Sequence, residues 1–133
     1  MFIIMSNPAS RRQTSQRQII LDYLRGVTNH PTAEAIFQQT SKKLPHLSLG
    51  TVYRNLQNLV RDNLILEIPG EVSRYDADLK VHAHFICDQC GLILDIWDKL
   101  PLAKITHPAI GSIKSYQIYF SGFCQNCQNK LTN

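Results

Sequence analysis

Four cysteines stand as two CxxC pairs, Cys87/Cys90 and Cys124/Cys127, and harder ligands surround the first pair. These are His82, His84 and Asp95, with Asp76 just upstream. Four thiolates at such spacing suit one tetrahedral zinc with sulfurs about 2.3 Å from the ion. The site would be closed, with no open position, and so structural rather than catalytic. The 33 residues between the pairs leave room for folded structure. The competing reading is two redox disulfides, but the sequence around the pairs lacks the βαβ context that activates one thiol. Imidazoles and carboxylates suit a different ion: two nitrogens plus carboxylate oxygens favour iron(II) or manganese(II), although zinc and copper bind many such sites.

The spacing says how these side chains meet. His82 and His84 flank Ala83 at a strand start, and alternate strand residues share a face, so both imidazoles can reach one ion. Asp95 interrupts an apolar run and needs a partner if half-buried. It reaches the histidines if the two strands pair. Asp76 closes an earlier hairpin, and His30 opens a helix in the first half of the chain. Taken singly, each has a plainer role as a capping, packing or turn residue. His46 and His107, beside prolines, read as solvated loop residues.

The elements that must position these ligands change character near residue 78. Before it, apolar residues recur at helical spacing; after it come short β-rich runs and all four cysteines. The periodicity predicts a helix over 14–25 ended by Gly26, a second from Thr32 through Gln39, and a third capped by Ser48, with Leu49, Val52, Leu56, Leu59 and Val60 buried. Strands over Leu64–Ile68 and Val72–Asp76 flank a Pro69-Gly70-Glu71 turn. Three helices and a hairpin give a winged helix-turn-helix. Beyond a joint at Ala77–Val81, strands are expected over Ala83–Ile86, Leu92–Trp97 and Ile113–Phe120, with a helical or irregular stretch containing Pro101 and Pro108 between the last two. The fold class is therefore α+β: a winged-helix domain over 1–77 and a small α/β domain over 78–133, whose sheet edges are free to pair across a dimer.

On the third helix the face opposite the apolar stripe carries Thr51, Arg54, Asn55, Asn58 and Arg61, bordered by Tyr53 and Gln57. Guanidinium, amide and aromatic groups suit phosphates and base edges, and a recognition helix leads with its N-terminal residues. Thr51, Tyr53, Arg54 and Asn55, with Arg17 and Arg74 nearby in the chain, are the candidate DNA contacts. The plainer alternative is a solvated polar face.

Composition sets the bounds. The chain has 133 residues, 44% hydrophobic, with a formal charge of +4. That charge divides evenly, nine basic against seven acidic residues up to position 78 and five against three beyond it. Net charge alone is thus weak support for nucleic-acid binding; local clusters such as Arg11, Arg12 and Arg17, or dimerisation, would have to supply the field. No apolar run approaches the roughly 18 residues of a membrane span. The apolar opening MFIIM is too short for a signal peptide, and Met5 is an alternative start. The chain reads as cytoplasmic, where paired cysteines are more often metal-bound than disulfide-bonded.

Together these motifs resemble the ferric uptake regulator (Fur) superfamily from about Arg12 to Cys127. They are Thr14-Ser15-Gln16-Arg17, His30-Pro31-Thr32-Ala33, Ser48-Leu49-Gly50-Thr51-Val52-Tyr53-Arg54-Asn55-Leu56 and Arg74-Tyr75-Asp76, then His82-Ala83-His84-Phe85-Ile86-Cys87-Asp88-Gln89-Cys90-Gly91 and the terminal CxxC. The resemblance implies a homodimeric, metal-responsive repressor that binds palindromic operator DNA, with structural Zn(II) on Cys87, Cys90, Cys124 and Cys127. It implies regulatory Fe(II) or Mn(II) on His30, Asp76, His82, His84 and Asp95. At those five positions the chain is similar to the family's peroxide-stress repressors. Iron-uptake members tend to carry glutamate in place of Asp76 and Asp95, and extra ligands where this chain has Val81 and Ala83. The same resemblance implies that peroxide acting on bound Fe(II) oxidises His30 or His82 and lifts repression of oxidative-stress genes, whereas Mn(II) resists. The chain departs from the pattern at Ser15, usually proline, and in a short segment between Asp95 and Cys124.

Three other functions use the same residues. A metal-uptake regulator would follow iron or zinc level and ignore peroxide. A non-haem iron oxygenase would use two histidines and a carboxylate, but five protein ligands leave little room for oxygen and substrate. A zinc-stabilised interaction module would leave the third helix simply solvated.

Overall fold

A computed structural model describes residues 8–99 and 105–132, with side chains described from residue 15. Met1, Met5, Pro101 and the side chains of Arg11, Arg12 and Thr14 lie outside the described residues. The chain divides into two compact units, Met1–Leu79 and Lys80–Asn133.

The first unit holds helices α1 (Pro8–Arg25), α2 (Ala33–Thr40) and α3 (Leu49–Arg61), then strands β1 (Leu66–Ile68) and β2 (Arg74–Asp76). Helix α1 begins six residues earlier than periodicity predicts; Pro8, with its φ preset and no N–H to satisfy, is a good first helical residue. Thr32 caps α2 by accepting from the Ala35 N–H, and Ser48 caps α3 by accepting from that of Thr51. Helix α3 ends in a Schellman turn, with Leu64 N–H to Leu59 carbonyl and Asn63 N–H to Val60 carbonyl, and Asn63 takes the required positive φ of 59°. Ile20, Leu24, Ile36, Val52, Leu56, Leu59, Ile65 and Tyr75 form one buried core. Each such aliphatic side chain contributes roughly 1.5–3 kcal/mol. The two strands pair antiparallel, Leu66 opposite Asp76 and Ile68 opposite Arg74. A lone bridge between Thr32 and Arg74, with Tyr75 N–H donating to the Pro31 carbonyl, ties the hairpin to the start of α2.

The second unit is a three-stranded sheet in the order β4 (Ile93–Ile96), β3 (Ala83–Cys87), β5 (Tyr119–Gly122), followed by helix α4 (Gln125–Leu131). Strand β3 is central, antiparallel to β4 and parallel to β5. The last strand is a correction to the run expected over Ile113–Phe120. Residues 105–118 are irregular, and regular pairing begins only at Tyr119, just after the Ile118 carbonyl accepts from His84. Alternation of side chains does not make a strand without a neighbour for its backbone. Gly122 lies beside Phe85, whose ring would stand 3.4 Å from a Cβ there, an ordinary van der Waals contact. The buried cluster of this unit consists of Cys87, Cys124 and Cys127 with Phe85 packed on it. Many large apolar residues of this unit are exposed, among them Leu94, Trp97, Ile105, Ile113, Tyr116 and Phe120. Among the described residues no helix is long and apolar enough to cross a membrane.

Candidate metal centres and nucleic-acid interface

The two CxxC turns converge. Cys87 ends β3, and its carbonyl accepts from the N–H of Gly91, which holds the positive φ of 76° that closes this knuckle. Asp88 N–H donates to the Gly122 carbonyl, and Cys124 N–H to Cys87 Sγ at 3.3 Å, so the second knuckle docks on the first. Cys124 stands at the N-cap of α4 and Cys127 in its first turn. All four sulfurs lie within 4.8 Å of one another, and Cys90 Sγ is 3.8 Å from Cys124 Sγ. A disulfide needs about 2.05 Å; the edge of a tetrahedron with 2.3 Å zinc–sulfur bonds is about 3.8 Å. The donor set fits zinc. Backbone N–H groups of Cys124 and Cys90 stabilise the Cys87 thiolate and lower its pKa to about 6. Cys127 is raised to about 12, first by the Cys124 side chain and then by burial.

The harder ligands follow from strand register. His84 stands directly opposite Asp95 in the β3–β4 pair. His84 Nε2 is 3.2 Å from Asp95 Oδ1, His82 Nε2 is 3.4 Å from the same oxygen, and the two nitrogens are 3.0 Å apart. Neighbouring ligands on an octahedral ion with bonds near 2.1 Å are spaced about 3 Å apart. The Nδ1 of His82 lies 2.6 Å from the Lys80 carbonyl, a bond that puts the proton on Nδ1 and turns the Nε2 lone pair inward. The His82 ring is fully buried and stacks on Trp97. The His84 ring stacks on Tyr119, its neighbour across the parallel pair.

In the first unit His30 and Asp76 are both buried, with His30 Nε2 at 3.5 Å from Asp76 Oδ2. They meet because β2 bridges to the start of α2. Arg74 donates to the His30 carbonyl at 3.2 Å, and Asp78 N–H donates to Asp76 Oδ1 at 2.8 Å. His30 holds a φ of 49°, a left-handed conformation uncommon for a side-chain-bearing residue and frequent where function fixes a group.

On α3 the exposed side chains are those of Tyr53, Arg54, Gln57 and Arg61, with Thr51 and Asn58 half-buried. Asn55 is a correction: it is 7% exposed, and its amide donates to the Thr51 carbonyl at 2.9 Å. It lies three residues from Val52 and four from Leu59, on the buried stripe rather than the polar face. Arg54 donates to Thr51 Oγ1 at 3.0 Å, and Tyr53 donates to Glu34 at 3.0 Å, which raises the Tyr53 pKa. Arg17 forms a 2.7 Å ion pair with Asp62, just past the end of α3. Arg74 is engaged with the His30 carbonyl.

The model of the Ferric uptake regulator family matches residues 9–115. The chain is 34% identical over 124 residues to the peroxide-responsive repressor PerR of Staphylococcus saprophyticus, covering 90% of this chain and 84% of that protein. It is likewise 34% identical over 127 residues to the PerR of Staphylococcus aureus strain USA300, covering 92% and 86%. Among solved structures, the Campylobacter jejuni peroxide stress regulator superposes with a TM-score of 0.69 at 22% identity, covering 90% of this chain and 93% of that one. The Helicobacter pylori ferric uptake regulator Fur, described as having three functional metal binding sites, gives a TM-score of 0.67 at 24% identity, covering 86% and 80%.

Proposed function

The chain belongs to the Ferric uptake regulator family, and we propose that within it this protein is a peroxide-responsive repressor that acts as a homodimer on palindromic operator DNA in the cytoplasm. As a family member it is a transcriptional regulator and not an enzyme. The observation that carries the finer reading is a division of hard ligands. His30 and Asp76 stand together in the first unit, and His82, His84 and Asp95 in the second. One ion held by all five would favour a single orientation of the two units. Its differential affinity for that orientation is what would shift the population toward the DNA-competent form. In a dimer this sets the distance between two recognition helices, which must match the operator half-sites.

The chain's own residues then take distinct parts. Cys87, Cys90, Cys124 and Cys127 hold Zn(II) and fix the second unit. Tyr53, Arg54 and Thr51 lead α3 into the major groove, with Arg17 and Arg74 on phosphates. Exposed apolar residues of the second unit, such as Ile113 and Phe120, are the material for a dimer contact. Iron(II) at the regulatory site would supply the redox chemistry by which peroxide adds an oxygen to His30 or His82, and manganese(II) would not. An oxidised imidazole is a poorer ligand, the two half-sites part, and repression lifts.

The test is a gel shift of the full chain on a palindromic operator, loaded anaerobically with iron(II) or manganese(II), before and after peroxide. Binding in both metal forms is expected, with loss only in the iron form and one added oxygen on His30 or His82 by peptide mass spectrometry. Metal-dependent binding that ignores peroxide would assign the protein to metal-level regulation instead.

A further inference from the structure

Trp97 is the chain's one tryptophan. It directly follows β4, two residues beyond Asp95, and its indole stacks on His82 with centroids 4.3 Å apart and planes 22° from parallel. The His82 ring is fully buried while Trp97 is 51% exposed, so the indole is the solvent-facing cover of a ligand imidazole. A cavity of about 290 Å³ opens beside the pair, bordered by Val81, Trp97, Lys99, Tyr116 and Ile118. A molecule of water takes about 30 Å³ of liquid volume, so hydrogen peroxide enters such a space with room to spare.

Indole gives up electrons more readily than imidazole, and here the two rings are in contact. We propose that Trp97 is a second oxidation site, competing with His82 for the oxygen that peroxide delivers and so raising the dose needed to switch the protein. The inference rests on the peroxide-responsive reading above. The chemistry balances with hydrogen peroxide as sole oxidant. Its O–O bond breaks, one oxygen replaces a ring hydrogen of the indole with a new C–O bond, and that hydrogen leaves with the other oxygen as water. The indole loses two electrons and peroxide gains them. Trp97 contributes no donor atom to the His82–His84–Asp95 triangle, so oxidising it leaves the ligands intact.

The test uses full-length protein loaded with iron(II), limiting peroxide, and fragment-ion mass spectrometry, since His82 and Trp97 fall on one tryptic peptide. The expected result is an added oxygen on Trp97 in the iron form and none in the manganese form. W97F, which keeps an aromatic stack but is harder to oxidise, moves the oxygen to His82 and lowers the peroxide dose that releases operator DNA. W97Y, more easily oxidised, restores the wild-type dose. An unmodified Trp97 beside an oxidised His82 or His30, with W97F unchanged, overturns the inference and leaves the peroxide reading standing. Equal Trp97 oxidation in the manganese form overturns it too, as bulk surface oxidation. No oxygen on any of the three residues, with operator binding retained, defeats the peroxide reading and this inference with it.

Discussion

The two units hold themselves together by different means. The first has a contiguous apolar core running from Ile20 to Tyr75. Among the described residues of the second, the buried apolar cluster is only Cys87, Cys124 and Cys127 with Phe85 packed on it, and Ala83 and His84 are buried beside it on β3. A segment of this size is marginal when so few apolar side chains are buried, and a structural metal is a common substitute for a core. On the proposed reading the four cysteines, once they hold zinc, take the place of a core, while His30, Asp76, His82, His84 and Asp95 would serve as the reversible switch.

Breaking the zinc site should have the largest effect. C127S is expected to abolish stoichiometric zinc and unfold the second unit, because structural zinc in finger peptides contributes about 10–16 kcal/mol. The amide signals of Ile20, Leu56 and Leu59 should persist in a heteronuclear NMR spectrum. Collapse of both units together would show that the comparison is wrong. L56A strikes the other core: Leu56 is fully buried, and the loss should be about 2–5 kcal/mol by denaturant unfolding of the first unit, with zinc content unchanged.

These contrasts also mark what the sequence could reveal. Ser48 before a regular apolar stripe made α3 legible, and two CxxC pairs announced the sulfur cluster. By residue type Asn55 belongs on the polar face, yet its position between Val52 and Leu59 places it on the buried stripe, and the spacing rather than the type decides. Helix α4 escaped notice because Gln125–Leu131 has no apolar periodicity and forms where Cys124 and Cys127 must be one turn apart. The parallel β3–β5 pair and the Trp97 stack depend on contacts between residues distant in the chain, which periodicity does not encode.

A smaller effect concerns the thiols. While the knuckles keep their fold, Cys87, lowered to about 6, is mostly thiolate at pH 7, whereas Cys127, raised to about 12, is protonated. In zinc-stripped protein, where the second unit is expected to unfold, brief iodoacetamide treatment followed by mass spectrometry should therefore label Cys87 and Cys127 alike. A preference for Cys87 that is lost as pH falls below 6 would mean that the knuckles stand without metal. Smallest of all is D62N, which removes the partly exposed Arg17 ion pair. Stability should change by less than about 1 kcal/mol, and freed Arg17 should steepen the salt dependence of operator binding.

The central claim is that the sulfur ligands build and the hard ligands sense. Metal analysis and operator binding of the H82A/H84A double variant test it most directly. The account predicts one zinc per chain, as in wild type, and no response of operator binding to manganese(II). Loss of the zinc, or manganese-dependent binding that survives both substitutions, would contradict it.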